Sequence, residues 1–275
     1  MKVSIYSPLF NVVEKKFDYA GALDNWAVYA DQISLAINTS KDGTYETIRD
    51  YAAAKGYPVS IVQTDFSYDD PFCYGKIVNA ALQNSTGTLL IEQDLDERIR
   101  ASRPVLLGLD QILNDPITPN KPSAFWVPTI DLYGSVDRCL PKIGQKWYIH
   151  RLGLFRGAVG FGMKADGRPD YDKTSTDELI DSDSNLVPTA ALLRDHSVEG
   201  LRPYVERGLP LVYHLGYVSF ADRLDRSLWW KAFWEKATGD PNRHPTSIEE
   251  IANRVTVEHG LPLWPTIGLD NQSQS

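Results

Sequence analysis

Between Val3 and Glu92, short apolar runs alternate with segments of helical spacing, and few folds accommodate that alternation. Val3 to Phe10 is β-branched and aromatic, is punctuated by Pro8 and Asn11, and reads as a buried first strand. Ala22, Trp26, Tyr29 and Ala30 follow at helical spacing. Ile33 to Ile37 then makes a second strand that stops at the turn Asn38-Thr39-Ser40-Lys41-Asp42-Gly43. Thr44 to Gly56 is a helix closed by its glycine, Pro58 to Gln63 a third strand, Tyr74 to Asn84 a helix, and Thr88 to Glu92 a fourth strand. This βαβαβαβ order predicts an α/β fold in which a mostly parallel sheet is flanked by helices and ligands bind outside the carboxyl ends of the strands. The positions to watch are therefore 7–11, 38–42, 64–70 and 93–97.

The rest of the chain is less regular. Ala124 to Ile130 and Lys146 to Phe155 read as strands, Lys164 to Asn185 as a polar loop, Leu224 to Thr238 as a helix and Asp270 to Ser275 as a flexible tail. At 275 residues the chain buries roughly three quarters of its unfolded surface, so it needs neither disulfides nor a structural metal. Its net charge of -8 supplies no general attraction for a phosphate backbone or an anionic membrane. Arg98, Arg100 and Arg103, and later Arg223, Arg226, Lys231 and Lys236, are accordingly expected on solvated helix faces. Two cysteines, Cys73 and Cys139, lack metal-binding spacing and suit a reducing compartment. The amino terminus does not read as a signal peptide, and no apolar run reaches the length of a membrane span. The expectation is a cytoplasmic protein.

After the fourth strand stands Glu92-Gln93-Asp94-Leu95-Asp96-Glu97. Asp94 and Asp96 fall on one side if the backbone stays extended, and two carboxylates that close repel unless a cation joins them. Mg²⁺ or Mn²⁺ fits that need, completing its shell with phosphate oxygens and water. With 25 Asp in the chain, chance alone yields about two D-x-D triplets, and Asp170/Asp172 and Asp181/Asp183 are further examples. Position at the end of a buried strand distinguishes Asp94/Asp96.

The run Tyr74-Gly75-Lys76-Ile77-Val78-Asn79-Ala80-Ala81-Leu82, then Ser85-Thr86-Gly87-Thr88-Leu89-Leu90-Ile91, then Asp94-Leu95-Asp96-Glu97, resembles family 2 glycosyltransferases of the GT-A fold. Val3-Ser4-Ile5-Tyr6-Ser7-Pro8-Leu9-Phe10-Asn11 is similar to that family's opening strand, and Ser40-Lys41-Asp42-Gly43-Thr44 to its S-x-D-x-T turn. Val212-Tyr213-His214-Leu215-Gly216-Tyr217 resembles its H-x-G-Y segment. The resemblance covers residues 1–110 well and 205–238 moderately. It implies a GT-A type (Rossmann-like) mixed sheet, with a nucleotide-sugar-binding half over 1–110 and an acceptor-binding half over 111–269.

The same resemblance implies a metal-dependent, inverting transfer from a nucleoside diphosphate sugar, a UDP-sugar being the expected donor. Asp94 and Asp96 would hold Mn²⁺ or Mg²⁺, Asp94 also meeting the ribose, with His214 as a further ligand of the metal or diphosphate. Ser7, Pro8, Phe10, Asn38 and Asp42 would touch the nucleoside. Asn38 stands where many members carry an acid, so Asp65 is a substitute, and Lys76 and Asn79, on one helical face, would reach the nucleotide. The general base is sought in the acidic run from Asp177 to Asp183, Asp177 and Glu178 first. Trp126, Trp147, Trp229, Trp230 and Trp234 are either core or stacking surfaces for a ring.

The acceptor is open: a soluble glycan, a protein, or a modified nucleic-acid base, which nothing in the sequence selects. Two rivals share the fold. A nucleotidyltransferase would need a glycine-rich basic loop after the first strand, and Ser7 to Lys16 holds no glycine. A catalytically silent sugar-binding module would bind glycans without nucleotide.

Overall fold

A computed structural model of the chain describes residues 1–67, 73–156, 162–163, 169–170, 179–228 and 247–261. In chain order they form β1 (Val3–Leu9), α1 (Tyr19–Ala27), β2 (Gln32–Asn38), α2 (Thr44–Lys55), β3 (Val59–Thr64), α3 (Cys73–Gln83) and β4 (Leu89–Glu92). There follow β5 (Glu97–Arg100), α4 (Arg103–Asn114), β6 (Ala124–Tyr133), β7 (Arg138–Cys139), β8 (Gly144–Arg151), β9 (Phe155–Arg156), β10 (Gly162–Met163), β11 (Pro169–Asp170) and β12 (Leu179–Ile180). The remainder is β13 (Thr189–Ala191), α5 (Val198–Glu206), β14 (Leu211–Tyr217), a helix α6 over 220–228, α7 (Ile248–Ala252) and β15 (Val257–Glu258).

The expected mixed α/β fold is present. β3, β2, β1 and β4 run side by side in parallel. Beyond β4 the sheet continues through antiparallel β8 to β6, and β6 carries β14 parallel on its other side. β6 and β14 therefore point the same way as β1 to β4. The carboxyl ends of strands from both halves of the chain gather along one edge.

Sequence period decides which helix covers which face. Along β1, Val3, Ile5 and Leu9 join Ala22, Leu23 and Trp26 of α1 and Leu106, Leu109 and Leu113 of α4. Tyr6 points the other way, packing with Ala36, Leu90 and the α3 residues Ile77, Val78, Ala81 and Leu82. At about 1.5–3 kcal/mol per fully buried apolar side chain, these two layers carry the fold. Helix ends follow their caps: Ser102 accepts from Val105 N ahead of α4, and Gly56, at φ 68°, closes α2 in a conformation that β-carbon sterics disfavour.

Three expectations need correction. Arg98 is not on a solvated helix face: it lies in β5, 1% exposed, and Arg226 in α6 is only 9% exposed. The backbone after Glu92 does not stay extended, because Glu97 N donates to Asp94 O at 2.9 Å and turns the chain through Leu95 and Asp96. The polar stretch 164–185 holds the strand pairings of β11 and β12 within its described residues, so it is not loop throughout. Both cysteines are buried, and among the described residues no helix is long and apolar enough to cross a membrane.

Candidate active site

The turn after β4 is held from beneath. Arg98 Nη1 donates to Leu95 O at 2.7 Å and to Glu97 O at 2.9 Å, while Nη2 meets Asp18 Oδ2 at 2.6 Å, at the cap of α1. Glu97, fully buried, accepts from Asp94 N at 3.0 Å. These bonds present Asp94 and Asp96, both half-buried, to a cleft shared with Pro8, Leu9, Phe10, Val12, Phe17, Tyr74, Leu95 and Arg226. Tyr74 OH lies 3.5 Å from Asp94 Oδ1, and its ring meets Phe10 edge-on.

β14 supplies the other side. His214 stands in register with Glu97 of β5 and with Asp131 of β6. Its Nδ1 lies 2.7 Å from Asp131 Oδ1, and its Nε2 3.4 Å from Asp96 Oδ2. Burial lowers the His214 pKa, but Asp96 and Asp131 outweigh it and hold the imidazole protonated up to about pH 10. With Nδ1 engaged by Asp131, Nε2 is the nitrogen turned toward Asp96, the arrangement in which a carboxylate orients a metal-binding histidine.

Gly216 makes room for that meeting. A β-carbon there would lie 2.6 Å from His214 Nε2 and 3.0 Å from Asp96 Oδ2, in a strand whose register with β6 shifts between His214 and Tyr217. A glycine inside a strand commonly marks such a bulge and close approach. One imidazole nitrogen and one or two carboxylates are a donor set suited to Mn²⁺ and acceptable to Mg²⁺. Among the described residues no three His, Cys, Asp or Glu side chains are grouped to hold an ion by themselves, so a metal here would take the rest of its shell from a ligand's oxygens and water. Taking Nε2, it would displace the bridging proton.

The other sequence candidates fall at graded distance. Pro8 and Phe10 line the cleft. Ser7 is fully buried behind it, its Oγ without a hydrogen-bond partner. Asn38 is buried and bound to the chain after β3: its amide donates to Phe66 O at 2.9 Å and accepts from Phe66 N at 2.9 Å. Asp65 is exposed beside it, Lys76 is exposed on α3 with its ammonium 5.9 Å from the Phe66 ring centre, and Asn79 follows one turn on. None of these last four lines the cleft around Asp94. Of the tryptophans, Trp126 is half-buried and donates to Thr189 Oγ1 at 2.9 Å. Asp177, Glu178, Trp229, Trp230 and Trp234 lie outside the described residues, as does the side chain of Trp147.

Asp42 joins two loops. Oδ2 accepts from Val13 N and Glu14 N, each at 3.0 Å, and Oδ1 from the Ser40 and Thr44 hydroxyls and Thr44 N. Burial opposes the charge, but these donors prevail and hold its pKa down to about 2. Since the folded value lies below the ordinary 3.8, the stabilisation is complete above that pH and is lost as pH falls toward 2. Discounted for partial exposure, it is about 1–2 kcal/mol. Asp42→Asn is therefore expected to lower the urea-unfolding free energy by that amount at pH 6, with the gap from the parent closing near pH 2.

Sequence reasoning named neither Asp131 nor Phe17 and put Arg226 on a solvated helix face rather than at the cleft. Asp131 had a signal, since it directly follows the strand expected to end at Ile130; the other two had none.

No protein-family model and no curated protein matches the chain. Among solved structures it is similar to S. aureus TarS 1–349 in complex with UDP, at 18% identity and TM-score 0.35 over 49% of this chain and 37% of that one. A further TarS 1–349 structure matches at 14% identity and TM-score 0.40, over 88% of this chain and 67% of that one. The mannosyltransferase PcManGT from Pyrobaculum calidifontis, in complex with GDP-Man and Mn²⁺, matches at 14% identity and TM-score 0.40, over 92% and 68%. With TM-scores of 0.40 and below, these likenesses carry no part of the functional reading.

Proposed function

We propose that the chain is a metal-dependent glycosyltransferase that moves a sugar, with inversion, from a nucleoside diphosphate sugar to an acceptor hydroxyl. One observation carries the reading: two remote segments deliver Asp96 and His214 to the carboxyl ends of the strands, with Nε2 and Oδ2 3.4 Å apart over a glycine. In this reading residues 1–110 take the donor, with UDP as its nucleotide, and 111–269 the acceptor, and the location is cytoplasmic.

The chemistry follows from charge. The acceptor oxygen forms a bond to the anomeric carbon as the bond from that carbon to the diphosphate oxygen breaks. The electron pair leaves with the diphosphate, and the hydroxyl proton passes to a carboxylate of the acidic run, Asp177 or Glu178 first. Asp96 and His214, with Asp94 at the ribose or the ion, would hold a divalent metal, which when bound neutralises the departing diphosphate as a Lewis acid. Asp131 orients His214 for that contact.

The test is Asp96→Ala. Mn²⁺-dependent binding of UDP or GDP should fall at least tenfold with the fold intact by circular dichroism, and slow hydrolysis of the sugar nucleotide should disappear. Asp183→Ala, in the exposed turn before β13, should leave the nucleotide affinity unchanged. Unchanged binding in Asp96→Ala would overturn the metal assignment. Pyrophosphate release from a nucleoside triphosphate and a sugar 1-phosphate would favour the nucleotidyltransferase instead, and glycan binding without turnover the silent module.

A further inference from the structure

Among the described residues, Arg226 is the cation of the cleft, and the two aspartates do not neutralise it. It is 9% exposed and lies among Asp94, Asp96, Phe17 and Tyr74. Its Nη2 donates to Gly216 O at 2.9 Å, its guanidinium carbon sits 5.2 Å from the Phe17 ring centre, and its buried Nε has no hydrogen-bond partner. Among the described residues no carboxylate pairs with it. A guanidinium taken this far out of water is costly unless a counter-charge meets it, and one carbonyl and a ring face do not supply one.

The adjoining carboxylates do not serve either. Asp96 faces His214, and Asp94 faces Tyr74. If those acids are spent on a divalent ion, the cleft holds two centres of positive charge, the ion on the β4 side and Arg226 on the α6 side. A ligand satisfying both must be a compact polyanion with oxygens on two sides. The rigid fork of arginine suits phosphate oxygens, which it can bind in pairs.

We propose that Arg226 is a binding residue for the diphosphate, gripping it opposite the metal through its free Nε–H and remaining Nη–H groups. This rests on the donor reading above and adds a residue to it. Because Gly216 O fixes one Nη, the guanidinium is oriented from the same bulge that places His214. Both cations are thus aligned by one short piece of β14 before ligand arrives, which lowers the ordering cost of binding.

The experiment compares calorimetric affinities of the parent, R226Q and R226K for UDP and GDP in Mn²⁺, and for uridine and guanosine. The parent should bind one of the diphosphates. R226Q should lose at least tenfold for that diphosphate and less than twofold for its nucleoside; R226K, keeping charge but not the fork, should lose three- to tenfold. Should R226Q not fold, R226K decides: parent-like diphosphate affinity overturns the assignment. Equal losses for nucleoside and diphosphate would also overturn it, marking Arg226 as a structural support. A parent that binds neither diphosphate overturns the donor reading itself, an outcome distinct from a parent that binds and a variant that binds equally.

Discussion

Replacing Arg98 by methionine is expected to lower the unfolding free energy by about 3–5 kcal/mol, and thereby the melting temperature by roughly 8–15 °C. The buried guanidinium satisfies Leu95 O, Glu97 O and Asp18 O, and it pairs with the Asp18 carboxylate. Methionine matches its volume but takes that donor from Leu95 O and Glu97 O, each costing about 1 kcal/mol or more where water cannot reach, while Asp18 O keeps Ala22 N at 3.1 Å. Asp18, its side chain 64% exposed, can turn to solvent, which keeps the cost below that of a fully buried pair. Arg98→Lys should be only partly milder, because one ammonium cannot span Leu95 O and Asp18 together. In lysine variants that fold, Mn²⁺-dependent nucleotide affinity should fall as well, since the same bonds shape the turn bearing Asp94 and Asp96. A loss of less than 1 kcal/mol in Arg98→Met, measured by urea denaturation, would show that the turn holds itself.

Gly216→Ala should separate stability from activity in the opposite sense. The added methyl would arrive 2.6 Å from His214 Nε2, 2.9 Å from Cε1 and 3.0 Å from Asp96 Oδ2, closer than carbon atoms approach such groups, so histidine or aspartate must move. The backbone at Gly216 needs no left-handed conformation, and the cost to folding should be about 1 kcal/mol. If the proposed metal site holds, the cost to function should be at least a hundredfold in donor hydrolysis, about 3 kcal/mol of transition-state stabilisation, because a metal held by displaced ligands would be misplaced against the leaving group. Mn²⁺ titrations followed by nucleotide binding measure it directly. Parent-like metal affinity in a folded Gly216→Ala protein would remove the cradle from the site.

The first four strands and their helices were legible because each is long enough to show its period and ends at glycine, proline or a polar turn. β5 was not: Glu97-Arg98-Ile99-Arg100 is only four residues and mostly charged, and it is buried by hydrogen bonds to α1 that no local pattern announces. α4 carried readable signals, Ser102 as its cap and Pro104 in its first turn, which the arginines around it obscured. In the candidate site, Asp94 and Asp96 stood out by their place after an apolar strand and His214 by the resemblance of its H-x-G-Y segment, and the structure brings Asp96 and His214 together. Asn38 closes β2 and Asp42 lies in the turn before α2, as read, but the structure shows their polar atoms bound to neighbouring loops, a distinction that depends on three-dimensional donors. Arg226 depends wholly on how α6 packs after β14, and its helix surface pattern alone reads as solvated.

The register of β14 has a consequence for how the molecule matures. His214 is level with Glu97 on one side and Asp131 on the other, so β14 docks between two strands that must already be aligned. Asp96 and His214 are about 120 residues apart along the chain, and closing so long a loop costs on the order of 4 kcal/mol in chain entropy before any contact repays it. Short-range βαβ units assemble sooner than such distant pairings. A nascent chain can thus present the surfaces after β1 and β2 while Asp96 still lacks His214 beside it, and one-residue slippage of β14 would turn His214 to the opposite face of the sheet. Completion of the sheet and the meeting of Asp96 with His214 coincide in the seating of a single strand.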